Sequence, residues 1–340
     1  MILGGSGWTK HSLDALAGWA GRAGLPIALS FRRKDLLDND HPCYAGDLGL
    51  GPNPKLIERV RRADLILALG ARLGENPTQG YRLFTREETA LKLVHIHPGA
   101  EEIGRVWPPA LAAVSTCSAA AAALADIALP KGRWKARAAR ARADVDAFTR
   151  PVPVKGRVNL SEVFAHLSQA LPADAIVCNG AGNFAAWLHR FYRHRQFGTQ
   201  LAPTSGAMGF GVPAAVAAKI AAPDREVVAV AGDGDFLMTG QELATAAQYR
   251  AAVIFMVIDN GSYGTIRMHQ ERDYPGRVIA TDLDNPDFTA YARAFGAWAT
   301  RVEDTGQFPE ALRLARAAGG PALIHLKTDV RDIAPGRTLR

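Results

Sequence analysis

The stretch VVAVAGDGDFLMTGQELATAAQYRAAVIFMVIDNGSYG, residues 227–264, decides the fold of the second half of the chain. It contains two apolar runs, 227–231 and 253–258, joined by a segment that predicts a loop and a helix. Apolar runs rich in β-branched residues are typical of central parallel strands that are buried on both faces. The stretch therefore predicts one βαβ unit, whose right-handed crossover brings both strand ends to the same edge of a sheet.

Polar residues follow both predicted strands. Asp233 stands between Gly232 and Gly234 after the first strand, and Asn260 follows the second. Taken alone, Gly-Asp-Gly fits a tight turn equally well, but an Asn at the neighbouring strand end favours a site. A carboxylate, a carboxamide and a backbone carbonyl are oxygen ligands that suit Mg²⁺. The two glycines allow close backbone approach, and N–H groups of the following turn can bind a phosphate.

The whole chain alternates predicted strands and helices, which indicates an α/β fold with two doubly wound parallel sheets. We predict a first domain over residues 1–130, a linker over 131–157 and a second domain over 158–340. The predicted strands of the first domain are 1–3, 26–31, 64–70 and 91–98, and its helices are 12–22 and 56–63. In the second domain we predict strands 175–180, 226–234, 253–260 and 321–329, and a helix over 159–171 with Ser161 as its N-cap.

Composition excludes several function classes. No apolar stretch reaches the roughly 20 residues of a membrane helix, and no signal peptide is visible, so we expect a cytoplasmic protein without membrane contact. The three cysteines, Cys43, Cys117 and Cys178, lack metal-ligand spacing. The net charge is +7, but the arginines are spread along the chain, and their densest cluster, 131–150, predicts a solvated connecting helix. We expect no nucleic-acid partner, because an anionic cofactor or substrate explains the charge equally well.

Residues 232–270 resemble the cofactor-binding signature of thiamine diphosphate-dependent enzymes of the acetolactate synthase and 2-oxoacid decarboxylase type. PTSGAMGFGVPAAVAAKIA (203–221) and NGAGNFAAW (179–187) resemble two further segments of that family. Residues 1–128 resemble the family's middle domain, which is Rossmann-like. The resemblance implies thiamine diphosphate and Mg²⁺ as cofactors and a 2-oxo acid as substrate.

The resemblance also assigns roles to residues at the strand ends. Asp233, the side chain of Asn260 and the carbonyl of Ser262 would bind Mg²⁺. Gly234 and Asp235 would offer N–H groups to the diphosphate. Asp259 departs from the family's usual Asn–Asn pair, and we expect this to be tolerated because the second position is the ligand.

Further residues would contact the rest of the cofactor. Met208 matches the bulky residue that bends the cofactor, although a gap-filling core Met is the alternative. The carbonyl of Gly206 would accept a hydrogen bond from the cofactor's amino group. The other residues that we expect at the cofactor are Asn183, Phe184, Gly232, Tyr263 and Gly264.

The family's activating glutamate belongs to a pyrimidine-binding domain, and no residue here matches it. Glu75, Glu101 and Glu242 are predicted on solvated helix faces or loops. We therefore expect no catalytic residue in this chain and half of a cofactor site. A truncated product, a subunit of a split enzyme and a derived binding protein are the three interpretations, of which a fragment or split gene is favoured. The expected partners are a second copy of the chain or a separate subunit with the pyrimidine-binding domain.

Two features of the first domain carry little function. GGSG (4–7) has Lys10 where a dinucleotide motif has its last glycine, so we expect no FAD. His95 and His97 alternate along a predicted strand without a third ligand, which favours core or edge positions. The resemblance to thiamine diphosphate-dependent enzymes implies acetolactate synthase-like carboligation or decarboxylation of 2-oxo acids. An inactive cofactor-binding or scaffolding protein is the alternative.

Overall fold

The computed structural model describes residues 1–84 and 92–339. The chain divides into two compact units. The first contains Met1–Thr149 and Arg193–Phe197, and the second contains Arg150–Tyr192 and Gly198–Arg340.

The first unit is built on a parallel sheet. Its described strands are β1 (Ile2–Leu3), β2 (Ile27–Leu29), β3 (Tyr44–Asp47), β4 (Leu65–Leu69), β5 (Lys92–His97) and β6 (Leu111–Val114). Its helices are α1 (Lys10–Ala23), α2 (Pro54–Arg61), α3 (Cys117–Ala125) and α4 (Lys135–Phe148). The strand order is β3-β2-β1-β4-β5-β6, with every pair parallel. The order runs outward in both directions from β1, as in a doubly wound fold.

The predicted strands and helices of this unit are all present, with ends that shift by at most two residues. Leu91, the first residue of one predicted strand, lies outside the described residues. Two strands, β3 and β6, were not predicted. Strand β6 lies at the sheet edge and three of its four side chains are exposed, so it lacks the buried apolar run by which central strands are recognised. Strand β3 contains Gly46 and ends in Asp47, which is an unusual strand composition.

Helix α4 lies within the segment for which a linker is predicted. Its Ala138, Ala141 and Val145 are buried in the two apolar clusters of the first unit. The boundaries of the predicted linker remain a prediction.

His95 is 2% exposed, and its Nε2 lies 2.9 Å from the carbonyl oxygen of Ala71. Burial lowers the pKa of this histidine. Among residues 1–84 and 92–339, no three His, Cys, Asp or Glu side chains converge in a way that could hold a metal ion. The burial of His95 and its contact with the backbone of Ala71 agree with a structural role.

The second unit is built on another parallel sheet. Its described strands are β7 (Ile176–Asn179), β8 (Gln200–Leu201), β9 (Val227–Gly232), β10 (Val253–Asp259), β11 (Trp298–Val302) and β12 (Ala322–Lys327). Its helices are α5 (Leu160–Ala170), α6 (Phe184–Phe191), α7 (Gly211–Ala221), α8 (Asp233–Phe236), α9 (Leu243–Gln248), α10 (Gly264–Asp273), α11 (Phe288–Ala294) and α12 (Phe308–Ala317). The strand order is β11-β12-β10-β9-β7-β8, again with every pair parallel. Together the two sheets confirm the predicted α/β fold class.

Strands β9 and β10 are buried along their whole length. Alternate side chains enter two apolar clusters, so that Val228 and Val230 pack on one face and Val227 and Ala229 on the other. This explains why both strands have continuous apolar sequences instead of alternating ones.

Helix α5 begins one residue earlier than its predicted cap. Its N-cap is Asn159, whose side-chain oxygen accepts a hydrogen bond from the N–H of Ser161 at 3.0 Å. The prediction of Ser161 as N-cap was therefore wrong. Both residue types are good caps, and the choice between two positions that are two residues apart depends on backbone geometry that the sequence does not display.

None of the helices in the described ranges is long and apolar enough to cross a membrane.

The close packing of α7 against the end of β7 predicts that a larger residue at Gly211 destabilises the fold. A Cβ at Gly211 would lie 2.7 Å from the backbone N of Gly180 and 2.8 Å from the backbone C of Asn179. Because both neighbours are backbone atoms, we expect Gly211→Ala to lower the free energy of unfolding by about 1–3 kcal/mol. That loss exceeds the gain in helix propensity, which is at most about 1 kcal/mol. Urea unfolding followed by circular dichroism measures the difference.

The matched control is Gly320→Ala, because a Cβ there meets no heavy atom within 4 Å. Equal unfolding midpoints for the two variants would contradict this description of the α7–β7 contact.

Candidate cofactor site

Strands β9 and β10 end side by side at the carboxyl edge of the second sheet. Ile258 pairs with Gly232, so the residues that follow each strand emerge next to each other. Asp233 begins the short helix α8 directly after β9 and is 3% exposed. The geometry thus brings the two predicted strand ends together, as the βαβ crossover requires.

Neutral donors surround the carboxylate of Asp233. Its Oδ1 accepts a hydrogen bond from the N–H of Gly234 at 2.9 Å. Its Oδ2 accepts from the N–H of Gly261 at 2.8 Å and from Nδ2 of Asn285 at 2.9 Å. Burial raises the pKa of Asp233, and the nearby charge of Asp259 adds to this effect. A buried carboxylate with a raised pKa gains from a nearby cation, which favours its charged form.

Asp259 is buried but bonded to basic side chains. Its Oδ2 lies 2.8 Å from Nε2 of His325 and 3.0 Å from Nζ of Lys327. Burial alone would raise the pKa of Asp259, but the hydrogen bonds from His325 and Lys327 hold it well below its usual range. The carboxylate that replaces the family's usual Asn is therefore neutralised locally.

The turn after β10 orients Asn260 and Ser262. Gly261 has a φ of +66°, in the region that favours glycine. Oδ1 of Asn260 accepts a hydrogen bond from the N–H of Ser262 at 3.1 Å, and Oγ of Ser262 donates to the carbonyl of Thr281 at 3.0 Å. The carbonyl of Ser262 accepts from the N–H of Gly264 at 2.7 Å. Each of the two predicted oxygen ligands keeps a further lone pair, since amide and carbonyl oxygens have two.

One cavity at this edge of the sheet collects nearly all the predicted site residues. Its walls include Asp233, Asn260 and Ser262, the three predicted metal ligands. They also include the predicted cofactor contacts Asn183, Phe184, Met208, Gly232, Gly234, Asp235, Tyr263 and Gly264. Gly206 is the exception. It is exposed, has a φ of +79° and is not part of the cavity wall, although Met208, two residues later, is.

Two glycines of the Gly-Asp-Gly triplet are required by close contacts with aromatic rings. A Cβ at Gly232 would lie 2.9 Å from Cδ1 of Phe184, and one at Gly234 would lie 2.5 Å from Cε1 of Tyr263. Both rings line the cavity. The missing side chains therefore create room for the rings and leave the backbone of residues 232–234 exposed to the cavity.

Helix α10 starts at the cavity wall. Gly264, Thr265 and Ile266, the residues of its first turn, line the cavity. The first N–H groups of a helix have no partner within the helix, and they attract anions such as phosphate. The side chain of Asn183 is tied to this turn, because its Oδ1 accepts a hydrogen bond from Oγ1 of Thr265 at 3.0 Å.

Asp235 has a role that the sequence did not reveal. Its Oδ1 accepts hydrogen bonds from the N–H of Gly209 at 2.8 Å and from the N–H of Ala181 at 3.2 Å. The side chain therefore joins helix α8 to two loops, those at 180–183 and 206–209. Family resemblance had assigned only its backbone N–H, and nothing in the residue pattern indicates which distant loops its carboxylate reaches.

The carboxyl end of β12 supplies further cavity residues that sequence reasoning missed. Thr328, Asp332 and Ile333 line the cavity. The carboxylate of Asp332 is held by the N–H groups of Lys155 and Gly156, each at 2.8 Å from one of its oxygens. The sequence contained a signal for these residues, because a parallel strand is predicted over 321–329 and the carboxyl ends of parallel strands lie at one edge of the sheet. In the structure β12 is the neighbour of β10.

The arrangement fits a divalent cation with a diphosphate ligand. Asp233, Asn260 and Ser262 offer hard oxygen atoms of the kind that Mg²⁺ prefers, and Mg²⁺ commonly takes its remaining ligands from phosphates and water. The residues after Gly232 and the first turn of α10 provide backbone N–H groups on the same cavity. The N–H of Gly234 is already directed to Oδ1 of Asp233.

Comparison with known proteins gives matches over most of the chain. The C-terminal thiamine pyrophosphate-binding domain of thiamine pyrophosphate enzymes matches residues 180–326, and the central domain of these enzymes matches residues 1–124. The chain is 30% identical over 330 residues to the acetolactate synthase large subunit of Parasynechococcus marenigrum, covering 95% of this chain and 53% of that protein.

Two further relatives show a similar overlap. The acetolactate synthase isozyme 2 large subunit of Escherichia coli is 27% identical, over 97% of this chain and 59% of its own length. A probable 2-ketoarginine decarboxylase of Pseudomonas aeruginosa is 29% identical, over 96% of this chain and 57% of its own length. The chain thus spans between half and two thirds of the length of these relatives. With both domain matches in the same order as its two sheets, the chain belongs to the thiamine pyrophosphate-dependent enzyme family.

Proposed function

We propose that this chain binds thiamine diphosphate through Mg²⁺ and acts on 2-oxo acids, by acetolactate synthase-like carboligation. The observation that carries the proposal is the convergence of Asp233, Asn260 and Ser262 on one cavity at the carboxyl edge of the second sheet. The names of the relatives support the reaction class, since two of the three reported above are acetolactate synthase large subunits.

The residues have distinct roles in this proposal. Asp233 supplies the negative charge for Mg²⁺, and Asn260 and the carbonyl of Ser262 complete the protein ligands. Backbone N–H groups after Gly232, other than that of Gly234, which is bonded to Asp233, and the first turn of α10 bind the diphosphate oxygens. Met208 packs against the cofactor from the loop at 206–209, and Asp235 holds this loop and the loop at 180–183 to helix α8.

Bound thiamine diphosphate supplies a nucleophilic carbon and an electron sink for the loss of CO₂ from a 2-oxo acid. The residues of this chain bind and orient that group, and no glutamate is among the described residues that line the cavity. We therefore propose that the activating carboxylate comes from a pyrimidine-binding domain outside residues 1–340. A second copy of the chain or another subunit would take part in completing the site.

Simple decarboxylation is the second candidate function. It is favoured by the 29% identity with a probable 2-ketoarginine decarboxylase. Product analysis with pyruvate distinguishes the two functions, because carboligation gives acetolactate and decarboxylation gives acetaldehyde. The assay is run with and without an added pyrimidine-binding domain. Turnover by residues 1–340 alone would contradict the external origin of the activating carboxylate.

Removal of the proposed charged ligand gives the first functional prediction. We expect Asp233→Ala to abolish Mg²⁺-dependent binding of thiamine diphosphate, because the remaining ligands are neutral and cannot compensate for the dehydration of Mg²⁺. Isothermal titration calorimetry with and without Mg²⁺ measures this.

The control for that experiment is His95→Ala, a change at a buried histidine of the first unit. It is expected to leave cofactor affinity intact. Equal cofactor affinity for Asp233→Ala and the unmodified chain would rule out Asp233 as the metal ligand.

A change at Met208 is predicted to affect binding of the organic part of the cofactor but not binding of its diphosphate. We expect Met208→Ala to weaken thiamine diphosphate binding about tenfold, since burying a Met side chain contributes about 1.5–3 kcal/mol and only part of it contacts the ligand. Binding of inorganic pyrophosphate with Mg²⁺ should not change, because Met208 is assigned to the organic part of the cofactor. Competition titrations with both ligands measure the two affinities.

Met238→Ala is the matched control, because Met238 is 49% exposed and is not part of the cavity wall. A parallel loss of pyrophosphate affinity in Met208→Ala would show that the residue acts on the loops instead of the cofactor.

A further inference from the structure

Asn285 connects the two carboxylates at the strand ends. Its Nδ2 donates to Oδ2 of Asp233 at 2.9 Å and to Oδ1 of Asp259 at 2.9 Å. The N–H of Gly261 lies between the same two carboxylates, at 2.8 Å from Asp233 and 2.9 Å from Asp259. Two buried anions therefore share two neutral donors.

The amide of Asn285 has only one workable orientation. Its NH₂ group has two hydrogens, one for each carboxylate. The reversed orientation would point an oxygen at two carboxylate oxygens. In the observed orientation Oδ1 of Asn285 is buried without a hydrogen-bond partner among the described residues. Both hydrogens of the amide therefore have a carboxylate partner.

Asp259 is a fixed anchor for this bridge. It is the last residue of β10, pairs in register with Lys327 of β12, and is bonded to both His325 and Lys327. Asn285 donates one hydrogen bond to Asp259 and another to Oδ2 of Asp233. Consequently Oδ2 of Asp233 has two donors and Oδ1 has one, which leaves Oδ1 with more capacity for a cation.

We propose that Asn285 is a positioning residue, which holds the carboxylate of Asp233 in the orientation that binds the metal. Asn285 is not part of the cavity wall, so it acts through Asp233 and not on the ligand. The inference rests on the proposed function, in which Asp233 binds Mg²⁺. A carboxylate held by an outer partner binds metal more tightly, and loss of such a partner typically weakens metal affinity about 10–100-fold.

The test uses Mn²⁺ as the metal probe with thiamine diphosphate, and electron paramagnetic resonance to count free Mn²⁺. We expect Asn285→Ala and Asn285→Asp each to weaken Mn²⁺ binding about 10–100-fold. The Asp variant is decisive because it adds negative charge. A purely electrostatic effect would tighten cation binding in Asn285→Asp, whereas loss of positioning weakens it.

Asn53→Ala is the control for general loss of stability. Asn53 caps α2 in the first unit, is 7% exposed and donates to the carbonyl of Asp144. It should lower the unfolding midpoint without changing Mn²⁺ affinity. Unchanged Mn²⁺ affinity in both Asn285 variants would overturn the inference and leave the proposed function standing. Absence of Mn²⁺ binding in the unmodified chain would overturn both.

A metal-free measurement tests the bridge itself. In a double-mutant cycle of Asn285→Ala and Asp233→Ala, we expect the shifts in urea midpoint to be non-additive, because each single change removes the same hydrogen bond. Additive shifts would show that Asn285 does not hold Asp233, and would overturn the inference whatever the metal result.

Discussion

Burial of a carboxylate at the end of a central strand is the constraint on which the site depends. Asp233 is 3% exposed and surrounded by neutral donors, and burial raises its pKa. Three backbone and side-chain N–H groups stabilise it, from Gly234, Gly261 and Asn285. The parallel register of β9 with β10 places Gly261 beside Asp233. The positive φ of Gly261 then directs its N–H to the carboxylate. A cation at the cavity would relieve the remaining cost.

The neighbouring Asp259 shows how a second buried charge is accommodated close to the first. Its carboxylate is paired with Lys327 and His325 on the neighbouring strand β12, so its charge is compensated away from the cavity. The described hydrogen-bond donors to Asp233 are all neutral. The two carboxylates share donors but differ in electrostatic role. The charge of Asp259 is neutralised within the sheet, whereas Asp233 faces the cavity.

The periodicity of the apolar residues and the polar residues at the strand ends predicted the sheet edge at which the site lies. The apolar runs of β9 and β10 and the polar residues after them were sufficient to expect a shared edge, and family resemblance supplied the cofactor. The contributions of Asp235 and Asn285 could not be predicted, because their partners lie 26–54 positions away and depend on how loops pack. Gly206 was assigned to the cofactor by resemblance, but its proximity to the cavity depends on a loop conformation that spacing alone does not fix.

We propose that Asp233, Asn260 and the carbonyl of Ser262 bind one divalent cation together with the cofactor's diphosphate. The decisive measurement is crystallography of the chain with Mn²⁺ and thiamine diphosphate, since Mn²⁺ gives an anomalous signal. We expect one anomalous peak within coordination distance of all three oxygen atoms, next to density for a diphosphate at the first turn of α10. A peak bonded to other residues, or diphosphate density without a metal at Asp233, would contradict it.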